Sequence, residues 1–109
     1  MTASVQAAIR AIAEPRRREI LRLVWADELR AGEIAERFPD VSRPAISQHL
    51  RVLRDADLVV ERRDGTRRLY RARRERIGDL RAYFEGFWDQ RLVALRDAAE
   101  RGRTRRGAS

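Results

Sequence analysis

Apolar positions mark out the elements of this chain before any chemistry is considered. Val5, Ala8, Ile9 and Ile12 follow the i, i+3, i+4, i+7 spacing of an amphipathic helix. Pro15 breaks that pattern and suits the first turn of a second helix, where Ile20, Leu21, Val24 and Trp25 share the apolar side and Arg16, Arg17, Arg18 and Arg22 are left outside. The periodicity lapses over 27–30 and resumes in a short third helix from Gly32 to Phe38, which ends at the turn Phe38-Pro39-Asp40-Val41. Ile46, Leu50 and Leu53 then recur at i, i+4 and i+7 and predict a fourth helix from Ser42 to about Asp55. Two strand-like runs follow, Leu58–Arg63 and Arg67–Ala72, joined by Asp64-Gly65-Thr66, and Asp-Gly is among the stronger short-range hairpin signals. A long helix from Glu75 to about Glu100 carries Ile77, Leu80, Phe84, Phe87, Trp88, Leu92 and Leu95 on a broad apolar face. The result is a mainly α chain of about five helices with one small β-hairpin, a single domain over residues 1–100. Residues 101–109, polar and rich in glycine and arginine, are expected to be a disordered basic tail.

The polar side of the fourth helix is the first sign of function. Ser42 is a natural N-cap and Pro44 is tolerated in the first turn, so the helix start is well marked. Arg43, Ser47, Gln48, Arg51 and Arg54 point away from the apolar stripe, and side chains of these kinds bond to base edges and phosphates. A short helix, a tight turn and a second helix with such a face make a helix-turn-helix, whose second helix enters the major groove by its N-terminal turn. Any small bundle contains helix pairs, however, and what comes next shifts the balance. Arg62, Arg63, Arg67 and Arg68 flank the hairpin turn, and a cationic hairpin tip after a helix-turn-helix is the wing of a winged helix, placed to touch phosphates or the neighbouring minor groove. The plainer alternative is a solvated hairpin whose charges keep an edge strand soluble.

Charge sharpens this picture. The 109 residues carry 25 basic side chains, all arginine, and 17 carboxylates, for a net charge of +8. Residues 1–41 balance seven arginines against seven carboxylates, 42–74 set ten against four, and 75–109 set eight against six. Most of the excess therefore lies on the fourth helix and the hairpin, the electrostatic footprint of a polyanion partner. No run approaches the roughly 18 apolar residues of a membrane span and no signal-peptide layout is present, so a cytoplasmic location is expected. There is no cysteine, one histidine and no glycine-rich phosphate loop, so neither an enzyme nor a cofactor or metal site is expected. Lone histidines are far more often structural than ligands, and His49 is read that way.

The last helix points to a second copy of the chain. Four of the seven aromatic residues, Tyr83, Phe84, Phe87 and Trp88, fall within six positions. Over 75–100 the helix has four arginines against six carboxylates, so it suits a protein surface better than DNA. A homodimer interface is expected from these residues with Leu80, Leu92 and Leu95, joined by Val5, Ile9 and Ile12 of the first helix. Gly78 and Gly86 inside the helix fit either a close approach by the partner or a bend.

From about Ala11 to Leu95 the chain resembles the ArsR/SmtB family of winged-helix transcriptional repressors. The motifs that carry the resemblance are Pro15-Arg-Arg-Arg-Glu-Ile-Leu-Arg-Leu, Val41-Ser-Arg-Pro-Ala-Ile-Ser-Gln-His-Leu-Arg-Val-Leu and Arg62-Arg-Asp-Gly-Thr-Arg-Arg-Leu-Tyr-Arg. The resemblance implies a homodimer on a partly palindromic DNA operator, one recognition helix per half-site. By the resemblance Ser42, Arg43, Ser47, Gln48 and Arg51 would be the DNA-contacting residues of that helix, with Arg62, Arg63, Arg67 and Arg68 on the wing, and Pro44, His49 and Arg54 complete the expected DNA-binding set. Metal-sensing members carry a Cys-x-Cys pair near the positions that hold Arg30 and Gly32 here, and the C-terminal helix offers Asp79, Glu85 and Asp89 but no histidine. The chain thus resembles the branch without metal ligands. Control by its own concentration, by an unknown small-molecule effector or by a partner protein all stay open. The competing function is a nonspecific or architectural nucleic-acid binder, which needs the same charge but reads no bases.

Overall fold

The computed structural model describes residues 4–107, apart from the side chains of 88, 89 and 103–107. Its elements run α1 (Val5–Ile12), α2 (Pro15–Ala26), β1 (Leu29–Arg30), α3 (Ala31–Glu36), α4 (Arg43–Asp55), β2 (Val59–Asp64), β3 (Arg67–Ala72) and α5 (Arg74–Gly107). Five helices and an antiparallel hairpin are present as the periodicity predicts, and the hairpin is part of a three-stranded sheet in the order β1-β3-β2. Two-residue β1 fills the lapse at 27–30 by pairing Leu29 with Tyr70 and Arg30 with Leu69. A strand of that length has no period of its own.

Local chemistry fixes the helix starts. The Ser4 hydroxyl accepts from the Ala7 amide at 3.1 Å, the Glu14 carboxylate from the Arg17 amide at 3.0 Å ahead of Pro15, and the Ser42 hydroxyl from the Ala45 amide at 3.2 Å. At α3 the Glu33 carboxylate reaches back to the Arg30 amide at 3.0 Å. The end of α4 is closed as firmly. The Leu58 amide donates to the Leu53 carbonyl at 2.9 Å and the Asp57 amide to the Arg54 carbonyl at 3.0 Å, with Asp57 at φ 60°. This is a Schellman motif, and its customary apolar contact is supplied by Leu53 and Leu58, both fully buried.

Contacts divide the chain into two compact units, Met1–Ile77 and Gly78–Ser109, with the boundary inside α5. In the first unit the core gathers Ala8 and Ala11 of α1, Ile20 and Val24 of α2, Ile34 of α3, Ile46, Leu50 and Leu53 of α4, and Leu58, Val59, Tyr70 and Ala72 at the hairpin. Burial of small Ala8 and Ala11 brings α1 close to the core and leaves Val5, Ile9 and Ile12 only half-buried. The second unit is α5 beyond Ile77. Its backbone stays helical to Gly107, so 101–107 are helical where a disordered tail is expected. Arginine is a good helix former, and cations near a helix C-terminus are favoured by its dipole.

Candidate nucleic-acid interface

Helix α4 buries Ile46, Leu50 and Leu53, and a 3.6-residue period then forces the residues between them outward. Ser42, Arg43, Pro44, Ser47, Gln48, Arg51 and Arg54 are all exposed. Ser42 is occupied as the cap. The side chains of Arg43, Ser47, Gln48 and Arg51 have no hydrogen bond or ion pair among the described residues, so their donors and acceptors are open to solvent. His49 differs. It is half-buried where α4 meets α2, with Nδ1 3.3 Å from an Arg17 guanidinium nitrogen. A guanidinium can only donate, so Nδ1 is the accepting atom of this contact. Arg17 also donates to the Ala11 carbonyl at 2.6 Å, tying the end of α1 to the recognition helix.

The hairpin turn is Gly65-Thr66, flanked by the Asp64 and Arg67 pair. Gly65 has φ +65° and no other glycine or Thr66 has positive φ among the described residues, the arrangement of a type II′ turn with glycine first. Register separates the four wing arginines. Arg63 pairs with Arg68 in the same alternation as Glu61 with Tyr70 and Val59 with Ala72, the core-side rows. Arg62 pairs with Leu69 and Asp64 with Arg67 on the other face.

Carboxylates hold some of these arginines. Glu28 grips Arg62 in a fork, with nitrogen to oxygen distances of 2.6 to 3.0 Å. That hydrogen bonding holds the Glu28 carboxyl below the ordinary range and raises the Arg62 guanidinium. Glu61 takes Arg54 at 2.8 Å and Arg68 at 3.5 Å, and Arg54 also meets Asp55 at 3.6 Å. Arg54, expected to grip phosphate, is thus engaged within the protein. Arg63 has no ion pair among the described residues, and Arg67 lies at the cleft between the wing tip and the first turn of α3. Elsewhere Arg16 pairs with Asp40 in the turn before α4 and stacks 5.8 Å from the Phe38 ring, and its hydrogen bond holds Asp40 low. Glu28, Glu61 and Arg17 are not found by sequence patterns, because their partners lie seven to 34 residues away.

The expected dimer residues are not equivalent. Leu80 is 4% exposed within the single chain. Tyr83, Phe87, Leu92, Val93 and Leu95 are exposed, and Phe84 is half-buried with its ring 5.8 Å from that of Tyr83. The Trp88 side chain lies outside the described residues. Gly78 and Gly86 face open space within an unbroken helix. Glu85 accepts from Arg81 at 2.8 Å, the ordinary i, i+4 pairing of surface helix charges.

A family model described as a helix-turn-helix domain matches residues 12–62. The HTH-type transcriptional regulator Rv2034 of Mycobacterium tuberculosis is 42% identical over 83 residues, covering 76% of this chain and 77% of that protein. The transcriptional repressor SdpR of Bacillus subtilis is 43% identical over 56 residues, 51% of this chain and 61% of that protein. Among solved structures, the homodimeric winged helix-turn-helix DNA-binding domain of Mb0332 from Mycobacterium bovis, described as a possible ArsR-family transcriptional regulator, aligns with a TM-score of 0.63. It is 32% identical, with 81% of each chain covered.

Proposed function

The chain belongs to the ArsR family of winged helix-turn-helix transcriptional regulators, and from that membership we propose that it is a dimeric, sequence-specific repressor that acts by covering promoter DNA. It is a regulator and not an enzyme. The observation that carries the specific reading is the outer face of α4, where Arg43, Ser47, Gln48 and Arg51 stand exposed with no internal partner beside a cationic wing. Phosphate contacts from the arginines supply salt-sensitive affinity, and the side chains near the start of α4 discriminate bases in the major groove. His49 acts through the Arg17 contact as a support for the helix.

The repressor reading is supported by the name of the transcriptional repressor SdpR, and occlusion is the simplest way for a bound dimer to repress. A dimer, with the partly palindromic operator that follows from two-fold symmetry, is supported by the homodimeric Mb0332 domain and by the apolar side chains exposed on α5. No helix among the described residues is long and apolar enough to cross a membrane, and a cytoplasmic location goes with a DNA partner. Control operates without a recognisable metal-sensing site, through protein concentration, a small molecule or a partner protein.

Selection of bound fragments from the host genome tests this reading. A repressor should recover a few sites with two-fold related half-sites and favour them over random duplex by about a thousandfold or more. Equal affinity for selected and random duplexes would instead establish the architectural alternative.

A further inference from the structure

Glu61 occupies a position where strand alternation calls for an apolar residue. Along β2 the core-side row runs Val59, Glu61, Arg63, and opposite it on β3 run Ala72, Tyr70 and Arg68. Val59, Tyr70 and Ala72 are buried, and the Glu61 side chain is only 15% exposed. Sheltering a carboxylate this far is costly unless its oxygens are satisfied, and a leucine would pack the row without that cost. Each Glu61 oxygen has its own cation. Oε2 accepts from Arg54 in the last turn of α4 at 2.8 Å, and Oε1 meets the Arg68 Nε on β3 at 3.5 Å. One carboxylate therefore joins the end of the recognition helix to both strands of the wing, and it separates two guanidinium groups that would otherwise repel.

We propose that Glu61 is a positioning residue for DNA binding, a bracket that fixes the wing against the recognition helix so that the arginine tip and the reading face meet one duplex together. The proposal rests on the DNA-binding reading above and deepens it. In the Glu61→Gln protein Arg54 and Arg68 face each other without an intervening charge, and the tip swings away from α4. Arg63, at the tip and free of ion pairs among the described residues, then loses its phosphate.

A double-substitution cycle in the full chain tests this, with affinity for a labelled duplex recovered by genomic selection measured against salt. In the wild-type background Arg63→Ala should weaken binding roughly threefold to tenfold and make the salt slope shallower by about 0.9. In the Glu61→Gln background the same change should cost less than about twofold, and Glu61→Gln alone should cost about what Arg63→Ala does. Arg54→Ala, which breaks the helix side of the bracket, should suppress the Arg63 effect in the same way and serves if Glu61→Gln is poorly folded by circular dichroism. The bracket is overturned if Glu61→Gln binds as tightly as wild type or tighter, or if the Arg63→Ala loss is undiminished in both backgrounds. Those outcomes leave the regulatory reading standing. A wild-type chain that binds neither selected nor random duplex overturns both.

Discussion

Asp57 shows how much a single backbone position contributes to the recognition helix. It is the only non-glycine residue among those described with positive φ, and it sits at the closing residue of the Schellman motif where glycine is usual. Aspartate tolerates the left-handed region better than a branched side chain does, because its short polar group bonds locally. Asp57→Val should therefore lower stability by about 1–2 kcal/mol, read as a lower urea midpoint with an unchanged m-value. An unshifted midpoint would mean the turn relaxes at no cost. At Gln48 the expectation is the opposite. Its side chain is exposed and makes no hydrogen bond among the described residues, so Gln48→Ala should leave stability unchanged and cost about 1–3 kcal/mol of discrimination between selected and altered sites. Arg67→Ala, by contrast, should weaken selected and random duplexes alike. If Gln48→Ala also weakens both equally, the division between reading and gripping is wrong.

At the level of elements the wing changes most between sequence and structure. Composition treats Arg62, Arg63, Arg67 and Arg68 as one cluster, whereas strand register places Arg63 and Arg68 on one face and Arg62 and Arg67 on the other. Arg62 is already forked to Glu28. Arg62→Ala should accordingly change the salt slope of DNA binding far less than Arg63→Ala, whose loss is about 0.9. Equal slopes would show that DNA takes Arg62 away from Glu28. The helices and hairpin were legible because long elements with buried faces write their period into the chain, as Ile46, Leu50 and Leu53 do. So was the exposed face of α4, since helical geometry sends Arg43, Ser47 and Gln48 outward once that stripe is buried. Strand β1 was illegible because its two residues owe their conformation to β3, some 40 positions on. The ion pairs of Glu28 and Glu61 depend on that same register, which no local pattern encodes. The helical backbone over 101–107 has no apolar period to announce it, since arginine-rich composition reads as disorder although arginine itself favours helix.

On the scale of the molecule, charge and exposed apolar surface predict two different responses. Glu28, Glu33 and Asp40 are held below their ordinary values of 4.5, 4.5 and 3.8, Glu28 and Asp40 by side-chain bonds from Arg62 and Arg16, Glu33 first by the Arg30 amide. A carboxyl whose folded value is depressed stabilises the fold above its unfolded value and loses that contribution as pH falls through the folded one. Thermal midpoints should therefore hold to about pH 4.5 and decline below it, and a triple Glu28→Gln, Glu33→Gln, Asp40→Asn variant should decline less steeply. Dimerisation depends on the other property. Leu92 and Leu95 are 58% and 64% exposed in the single chain, beside Tyr83, Phe87 and Val93, so replacing them removes nothing that holds the protomer together. Water should be excluded from them by a second copy. Sedimentation at micromolar concentration should give the dimer mass, and Leu92→Glu with Leu95→Glu should give a folded monomer. If two recognition helices share one operator, that monomer loses the second half-site, and its affinity should fall by about a hundredfold or more. A wild-type monomer with and without DNA would remove the dimer. A dimer that survives both substitutions would move the interface elsewhere, with the half-buried Val5, Ile9 and Ile12 of α1 the next residues to test.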